Sequence, residues 1–191
     1  MVLLSRGTLS LLAFVMAGQA PTAVHPYTVP AALPQQQVAG VCAARSVAGA
    51  LRRDAVRCII AGTIHDPCFT TGRPDVVLCD VDPRDATRGM VVKSSPPAAA
   101  IDVPAVLSRA WFIELADGSM CRPVIGTPRA FDGETEIYTC VGSVGDADSV
   151  MLGDVDDSAP VWTIKRAVLN KKFTPQTIKS LSVVAVKAVW R

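Results

Sequence analysis

The chain has 191 residues, of which 19 are basic and 17 acidic, and its formal net charge is +2. This near balance excludes the strongly basic surface on which non-specific nucleic-acid binding depends, so we predict no nucleic-acid partner. Half of the residues are apolar and only 5% are aromatic. This composition is typical of a folded domain with a modest core rather than of a disordered chain.

Residues 1–23 have the pattern of a secretory signal peptide. Arg6 is the only charge before the apolar run 9–17, and small residues follow that run. Cleavage after Ala20 would put Pro21 just downstream, which is unfavourable, so cleavage after Ala23 fits the pattern equally well. The run is shorter than the roughly 20 residues that cross a bilayer, although an uncleaved anchor is the alternative. No later stretch is a candidate span, so we predict a protein that is secreted or associated with the cell envelope, with no transmembrane segment after processing.

The sequence divides the rest of the chain into two parts. Residues 24–41 are rich in Pro and Gln and lack any hydrophobic periodicity, which indicates a flexible leader. Residues 42–191 contain no repeat and no composition shift that would mark a second domain. We therefore predict a single β-rich domain over 42–191.

The cysteines predict a disulfide framework. They are even in number and all lie beyond the predicted signal, and an exported chain meets an oxidising environment. Six cysteines allow 15 pairings, of which we favour the pairs that are closest in sequence. Each such pair is worth on the order of 3 kcal/mol in the chain-entropy model. The favoured pairs are Cys42–Cys58, Cys68–Cys79 and Cys121–Cys140. Zinc is the competing interpretation, but no C-x-x-C pair is present and the chain has only two histidines. We predict no metal and no cofactor.

The hydrophobic pattern predicts an all-β fold. A short helix over 43–57 is indicated only by apolar residues at three- and four-residue spacing. Thereafter short β-branched or apolar runs alternate with Gly, Pro and Asp, which favours a small sandwich or barrel of short antiparallel strands. Asp117-Gly118 and Asp132-Gly133 lie between apolar runs, a strong hairpin pattern. The predicted strands cover residues 75–79, 89–94, 110–115, 120–125, 137–141, 150–152, 161–168 and 181–190.

The stretch Gly62–Cys79 contains the most informative polar residues. His65-Asp66-Pro67 is predicted to be a turn because proline fixes φ and pushes its predecessor out of the helical region. His65 is the only histidine beyond the leader, so we single out His65, Asp66 and Pro67 as a candidate functional turn. A hydrolase that used this turn would bring His65, Asp66 and another acid into one cleft. Cys68 is a poor candidate nucleophile because a disulfide consumes its thiol.

Three further features concern charge. Glu114 lies on a predicted strand whose alternation places it outward and solvated. The acids within residues 145–157 offer a weak candidate calcium site, since their spacing matches no known calcium loop. Residues 132–157 carry acids and no base, whereas residues 161–191 carry bases and no acid. One interpretation is that these two surfaces approach one another or are merely solvated. The other is that the basic surface binds an anionic wall polymer or a lipid headgroup.

Several of these residues together resemble a group of uncharacterised secreted bacterial proteins. Their pattern is WRC, I-x-DPCF, VVC, W-x-x-EL-x-DG-x-x-C, Y-x-C, L-x-G and WT, in that order. The chain departs from it at Val56, where the pattern has an aromatic residue, and at Cys42, which the pattern lacks. The resemblance covers about residues 55–191 and implies a secreted protein but no particular activity. The matching residues are Arg57-Cys58, Ile64 to Phe69, Val76 to Cys79, Trp111 to Gly118, Cys121, Tyr138, Cys140, Leu152-Gly153 and Val161 to Thr163.

From the sequence we predict a non-enzymatic binding or interaction module. Its expected partner is a cell-envelope polymer or another extracellular protein. Two alternatives stay open. One is a small secreted hydrolase that uses His65 and a carboxylate. The other is a protease inhibitor that presents the loop 68–79, which a disulfide would bound.

Overall fold

The computed structural model describes residues 18–48, 52, 54–95, 109–141, 149–170 and 176–191, and these residues contain strands and no helix. The all-β prediction is therefore confirmed. The strands are β1 (Ala23–His25), β2 (Gln37–Arg45), β3 (Ala55–Ile60), β4 (Thr63–Thr70), β5 (Val76–Cys79), β6 (Met90–Ser94), β7 (Phe112–Leu115), β8 (Met120–Pro123), β9 (Ala130–Phe131), β10 (Glu134–Val141), β11 (Ser149–Asp156), β12 (Thr163–Asn170) and β13 (Thr177–Trp190).

Strands β2 to β6 form the first barrel. Consecutive strands pair antiparallel, and β6 returns to pair in parallel with β2, which closes the barrel. The barrel is small, and its interior contains two cystines together with Val56, Ile60, Val77 and Val92. Closure leaves these five strands without a free edge, which removes a common route to unwanted strand pairing.

The second barrel is built from β7, β8 and β10 to β13. These strands follow one another antiparallel, and β13 pairs with β7 to complete the circuit. Strand β9 pairs with β10, and β1 adds in parallel to the C-terminal end of β13. The interior is filled by aliphatic side chains, including Ile113, Leu115, Met151 and Val189, around the third cystine. The last residues of the chain are thus central to the fold.

The structure contains the three disulfides that we favoured, Cys42–Cys58, Cys68–Cys79 and Cys121–Cys140. Each joins two neighbouring strands. In two of them the bonded residues lie directly opposite one another in the strand register. All the sulfurs point into the interior of a barrel. There they fill space that large apolar side chains would otherwise occupy, because the chain has few aromatic residues.

The two barrels share a cluster of buried aromatic side chains, which we call the interface cluster: Tyr27, Phe69, Trp111, Phe112 and Trp190. The rings of Tyr27, Phe69 and Trp111 contact one another pairwise, with centroids 4.7 to 4.9 Å apart. Such contacts stabilise a fold by about 0.5–1.5 kcal/mol each beyond the area they bury. The members come from both barrels and from the segment before β2, so the cluster unites all three.

Arg52 covers one side of the interface cluster. Its guanidinium lies 5.5 Å from the ring centroid of Tyr27 and 5.2 Å from that of Phe69. It donates hydrogen bonds to the backbone carbonyls of Tyr27 and Arg191, at 2.7 and 3.1 Å, and two to the carboxylate of Asp54. One side chain therefore joins the N-terminal segment, the C-terminus and the first barrel.

Two local predictions between residues 43 and 67 differ from the structure. The helix over 43–57 is wrong, because β2 and β3 cover its two ends and residues 46–48 between them are not helical; positions 49–51 and 53 lie outside the described residues. The turn at His65-Asp66-Pro67 is also wrong: these residues lie within β4, and the chain reverses at Ala61-Gly62, where both φ angles are positive, 47° and 81°. Short apolar spacings fit either secondary structure, and here the pairing of β2, β3 and β4 decides.

The segment expected to be a flexible leader, residues 24–41, contains part of β1 and the first half of β2, and Tyr27 within it is buried. Strand β1 pairs with the far end of the chain, at Ala188 to Trp190. Such long-range pairing leaves no periodic pattern in a three-residue strand, so composition alone could not indicate it.

The charge segregation has a structural counterpart. The acidic and basic stretches meet in the ion pairs Lys165–Glu134, at 2.6 Å, and Arg191–Asp157, at 3.6 Å. This agrees with the expectation that the two surfaces approach one another. Among the described residues, no helix has the length and apolar character that a membrane crossing requires.

We predict that Arg52→Met lowers the free energy of unfolding by about 2 kcal/mol, because it removes charge-assisted hydrogen bonds to two carbonyls and a carboxylate while it keeps an apolar stem. The measurement is urea unfolding followed by tryptophan fluorescence. Arg45→Met, at an exposed position of β2, is the control and should change stability by less than about 0.5 kcal/mol. Equal losses in the two variants would contradict the role assigned to Arg52.

Candidate functional site

The candidate residues His65 and Asp66 point to different surroundings, because successive side chains of a strand face opposite sides. The acid nearest His65 is Asp80, whose Oδ2 lies 2.8 Å from His65 Nδ1. Asp66 instead has a fully buried side chain. The convergence of His65, Asp66 and another acid that a hydrolase would require is therefore not present.

Asp66 is the centre of a buried polar network. Its carboxylate accepts hydrogen bonds from the hydroxyl of Ser46, from the backbone N–H of Val47 at 2.9 Å and from Nε of Arg57 at 3.1 Å. A buried carboxylate is tolerated only when it is paired and hydrogen-bonded in this way. The network connects the chain after β2 to strands β3 and β4, so its role is structural.

The His65–Asp80 pair lies near the surface. The Asp80 side chain is 45% exposed and its residue has a positive φ of 51°. In the part of the chain that the structure describes, the His65 side chain hydrogen-bonds only to Asp80. The pair resembles the orienting half of a catalytic arrangement, and no described nucleophilic side chain hydrogen-bonds to it.

We predict that Asp66→Asn lowers the free energy of unfolding by about 2–3 kcal/mol, since an amide cannot accept all three hydrogen bonds and leaves Arg57 without its counter-charge. His65→Asn, at the partly exposed neighbouring pair, should cost less than about 1 kcal/mol. Chemical denaturation of both variants checks this. A larger loss in the His65 variant would show that the surface pair, not the buried network, supports β4.

A groove of about 500 Å³ is lined by Tyr27 to Ala31, Leu33, Arg52, Asp54 and Thr70 to Arg73. We call it the Tyr27 groove. Its walls come from the segment before β2, from the loop before β3 and from the β4–β5 turn. Its volume lies in the range of small-molecule and peptide sites, about 300–1,000 Å³. The interface cluster and Arg52 hold these three walls together.

The polar groups of the Tyr27 groove differ in whether they already have hydrogen-bond or ion-pair partners within the protein. Arg52 and Asp54 neutralise one another, and the hydroxyl of Thr71 donates to the carbonyl of Val76 at 3.0 Å. Arg73 is 64% exposed, and its ion pair with Asp75 is long, at 3.5 Å. Its guanidinium is thus the most available cation on the wall, beside the apolar side chains of Val29 and Leu33.

A smaller cavity of about 260 Å³ lies where the loop after β2 meets the second barrel, lined in part by Ala48, Arg109, Glu136 and Tyr138. Tyr138 donates its hydroxyl to the carbonyl of Ala110 at 2.9 Å. The buried Glu136 is bound at 2.7 and 2.9 Å by two nitrogens of Arg129. These polar groups are satisfied within the protein, so the cavity offers less to a ligand than the Tyr27 groove.

Both tyrosines of the chain titrate abnormally. Burial raises the pKa of Tyr27 to about 12, although the nearby Arg52 opposes the shift, and burial likewise raises the pKa of Tyr138 to about 12. The hydroxyl of Tyr27 is buried and has no hydrogen-bond partner among the described residues. Ionisation of either phenol would place a charge in an apolar setting.

We predict that the folded protein shows no tyrosinate absorbance step near pH 10 and that both phenols ionise near pH 12 or on unfolding. Because the folded pKa values lie above the unfolded value of about 10, the stabilisation they provide is complete below pH 10 and is lost as the pH rises toward 12. Absorbance at about 295 nm against pH measures this, with the urea-unfolded chain as reference. Tyr27→Phe should halve the amplitude. A step near pH 10 in the folded protein would contradict the burial of one ring.

The other candidate residues have structural partners. Glu114 was expected to be outward and solvated, but its side chain is only 12% exposed and accepts a hydrogen bond from Lys187 at 2.8 Å. In the candidate calcium segment, Asp154 pairs with Arg109 and Asp157 with Arg191, while positions 146 and 148 lie outside the described residues. In the described ranges the one group of clustered metal-ligand atoms is Cys58, Cys68 and Cys79, whose sulfurs form disulfides.

Sequence reasoning missed Arg52, Arg73 and Glu136. Glu136 could have been found, because it alternates with Tyr138 and Cys140 along β10 and so faces inward with them. Arg52 and Arg73 carry no local pattern; their roles depend on segments that meet only in the fold. Comparison of the chain with protein families, with curated proteins and with solved structures finds no match.

Proposed function

We propose that this protein is a secreted or cell-envelope binding protein, without enzymatic activity, whose ligand occupies the Tyr27 groove. The observation that carries the proposal is the groove itself: three chain segments build a concavity of about 500 Å³ beside an exposed arginine. On its described walls no hydroxyl hydrogen-bonds to Asp54 or to another base, a contact that general acid–base or covalent catalysis would need. Shape together with one available charge favours recognition over reaction.

The chemistry of the walls favours an extended peptide with an acidic group as the ligand. The apolar residues Val29, Pro30 and Leu33 suit small apolar side chains, and the threonine hydroxyls and backbone groups suit a peptide backbone. Since Arg52 neutralises Asp54, Arg73 provides the charge that a ligand carboxylate would meet. Arginine binds carboxylates through two parallel hydrogen bonds, which gives direction as well as affinity.

Location outside the cytoplasm is part of this proposal. Three buried disulfides suit a chain that folds in an oxidising compartment. The hydroxyl of Thr22 donates to the carbonyl of Val186 at 2.6 Å and accepts from the N–H of Trp162 at 2.8 Å. Processing before Thr22 would preserve these contacts, whereas cleavage after Ala23 would remove them. Of the two cleavage sites expected from the sequence, the one after Ala20 is therefore the better choice.

The two alternatives have less support. A hydrolase at His65 lacks the convergence of acids that it requires. An inhibitor loop would need an extended, exposed segment, but residues 71–76 form a tight turn in which Thr71 and Val76 donate to backbone carbonyls at 3.2 and 3.1 Å. In the binding proposal the same turn forms one wall of the groove.

The test uses two pools of N-acetylated apolar hexapeptides, one with free C-terminal carboxylates and the other with amides, added to ¹⁵N-labelled protein. We expect amide shifts confined to the groove, tighter binding of the carboxylate pool, and a loss of affinity of about tenfold in Arg73→Gln. Arg45→Gln, which changes the same charge on an exposed part of β2 away from the groove, should bind as the parent does.

Two outcomes would overturn the proposal. One is the absence of any groove shifts at millimolar peptide. The other is binding that Arg73→Gln and Arg45→Gln weaken equally, because general charge attraction rather than the groove would then explain it.

A further inference from the structure

Strand β13 is paired on both sides only along its C-terminal half. Residues 177–185 pair with β12, and from Val186 onward β7 lies on the other side. Beside residues 177–184, on the side away from β12, the described part of the chain places no strand. Among the described residues, this half of β13 is therefore an open edge of a barrel that is otherwise closed.

The direction of the backbone groups on this edge follows from two hydrogen bonds. The carbonyl of Ala185 accepts from Ala116, on the β7 side, whereas the N–H of Val186 donates to Trp162, on the β12 side. In a strand, the N–H and C=O of one residue point the same way, and the direction alternates along the chain. The N–H and C=O of Leu181 and Val183 therefore point outward from the open edge.

The side chains of these two residues are also exposed. Leu181 is 53% and Val183 68% exposed, and they share one face of β13 because they are two positions apart. Register shifts interrupt the β12–β13 pairing near residue 179 and the β13–β7 pairing near residue 187. Such bulges bend a strand and end its pairing, so they confine the regular open edge to Ser180–Val184.

We propose that a second copy of this chain occupies the open edge, with the two β13 strands antiparallel and related by a two-fold axis at Ser182. In this register Leu181 lies opposite Val183 of the copy, and the outward N–H and C=O groups of both residues form four inter-chain hydrogen bonds. The four apolar side chains meet on one face. A sheet then continues from β12 of one copy through both β13 strands to β12 of the other.

The edge fits a copy of itself better than an unrelated strand for two reasons. Its length and its outward groups are self-complementary about Ser182, as a two-fold interface requires. The flanking lysines also do not oppose the contact by charge repulsion. Lys179 lies outside the regular stretch, Lys187 forms an ion pair with Glu114, and Lys165 forms one with Glu134. With four hydrogen bonds and one apolar cluster, the contact belongs to the small, weak and reversible class.

Cysteine cross-linking tests the register. At the two-fold axis the Cα atoms of the two Ser182 residues should lie about 4.5 Å apart, within the range of a disulfide. We expect Ser182→Cys to form a covalent dimer under mild oxidation. Ser180→Cys is the matched control. The Cα atoms of residue 180 in the two chains would be about 14 Å apart, so this variant should remain monomeric on a non-reducing gel. Cross-linking of both variants alike would overturn the register.

Sedimentation of the exported protein tests the contact without any cross-link. We expect a dimer fraction that grows with concentration up to about 0.3 mM. Leu181→Lys and Val183→Pro should each weaken association at least tenfold. The proline removes only an outward N–H, so the β12–β13 ladder and the unfolding midpoint should change little. Val141→Lys, at another exposed apolar position, and Arg73→Gln should associate as the parent does, which keeps this test independent of the groove. A parent that is monomeric throughout would refute the proposal.

Discussion

The structure depends above all on the contact between Arg52 and the interface cluster. A guanidinium is planar and carries five N–H groups, so it can stack on the rings of Tyr27 and Phe69 while it holds two carbonyls and a carboxylate. One of those carbonyls belongs to Arg191, the last residue of the chain. The two barrels, the segment before β2 and Arg191 thus meet at one side chain, and the walls of the Tyr27 groove are set by the same contacts.

The first barrel has a small interior, and cystines fill much of it. Five short strands enclose little volume, and the chain has few large aromatic residues to fill it. Two adjacent cystines occupy the interior and cross-link neighbouring strands, so that they fill space and restrict the unfolded chain together. The second barrel is larger and uses aliphatic packing with a single cystine. The two barrels therefore reach stability by different means.

Polar residues that attract attention in the sequence are mostly structural in the fold. Asp66, which the sequence singled out, is a buried carboxylate whose partners Ser46 and Arg57 come from other segments. The buried Glu136 is likewise held by Arg129, which lies just before β9. The residues to which we assign a ligand or a partner, Arg73, Leu181 and Val183, have no motif around them. They are available because they have few partners within the protein. The guanidinium of Arg73 has only a long ion pair, and the edge beside β13 has no neighbouring strand in the described ranges.

The sequence by itself determined the all-β class, most of the strands from β5 onward, the hairpin at Asp132-Gly133 and the disulfide pairs, because strand alternation, turn chemistry and cysteine spacing act over short distances. Only the tertiary structure decided the rest. It divided the chain into two barrels, turned the expected leader into the wall of a groove, and placed His65-Asp66-Pro67 in a strand. It also left residues 177–184 of β13 with a neighbouring strand on one side only, within the described part of the chain. Each of these depends on contacts between distant segments, such as β1 with β13, which a local pattern does not encode.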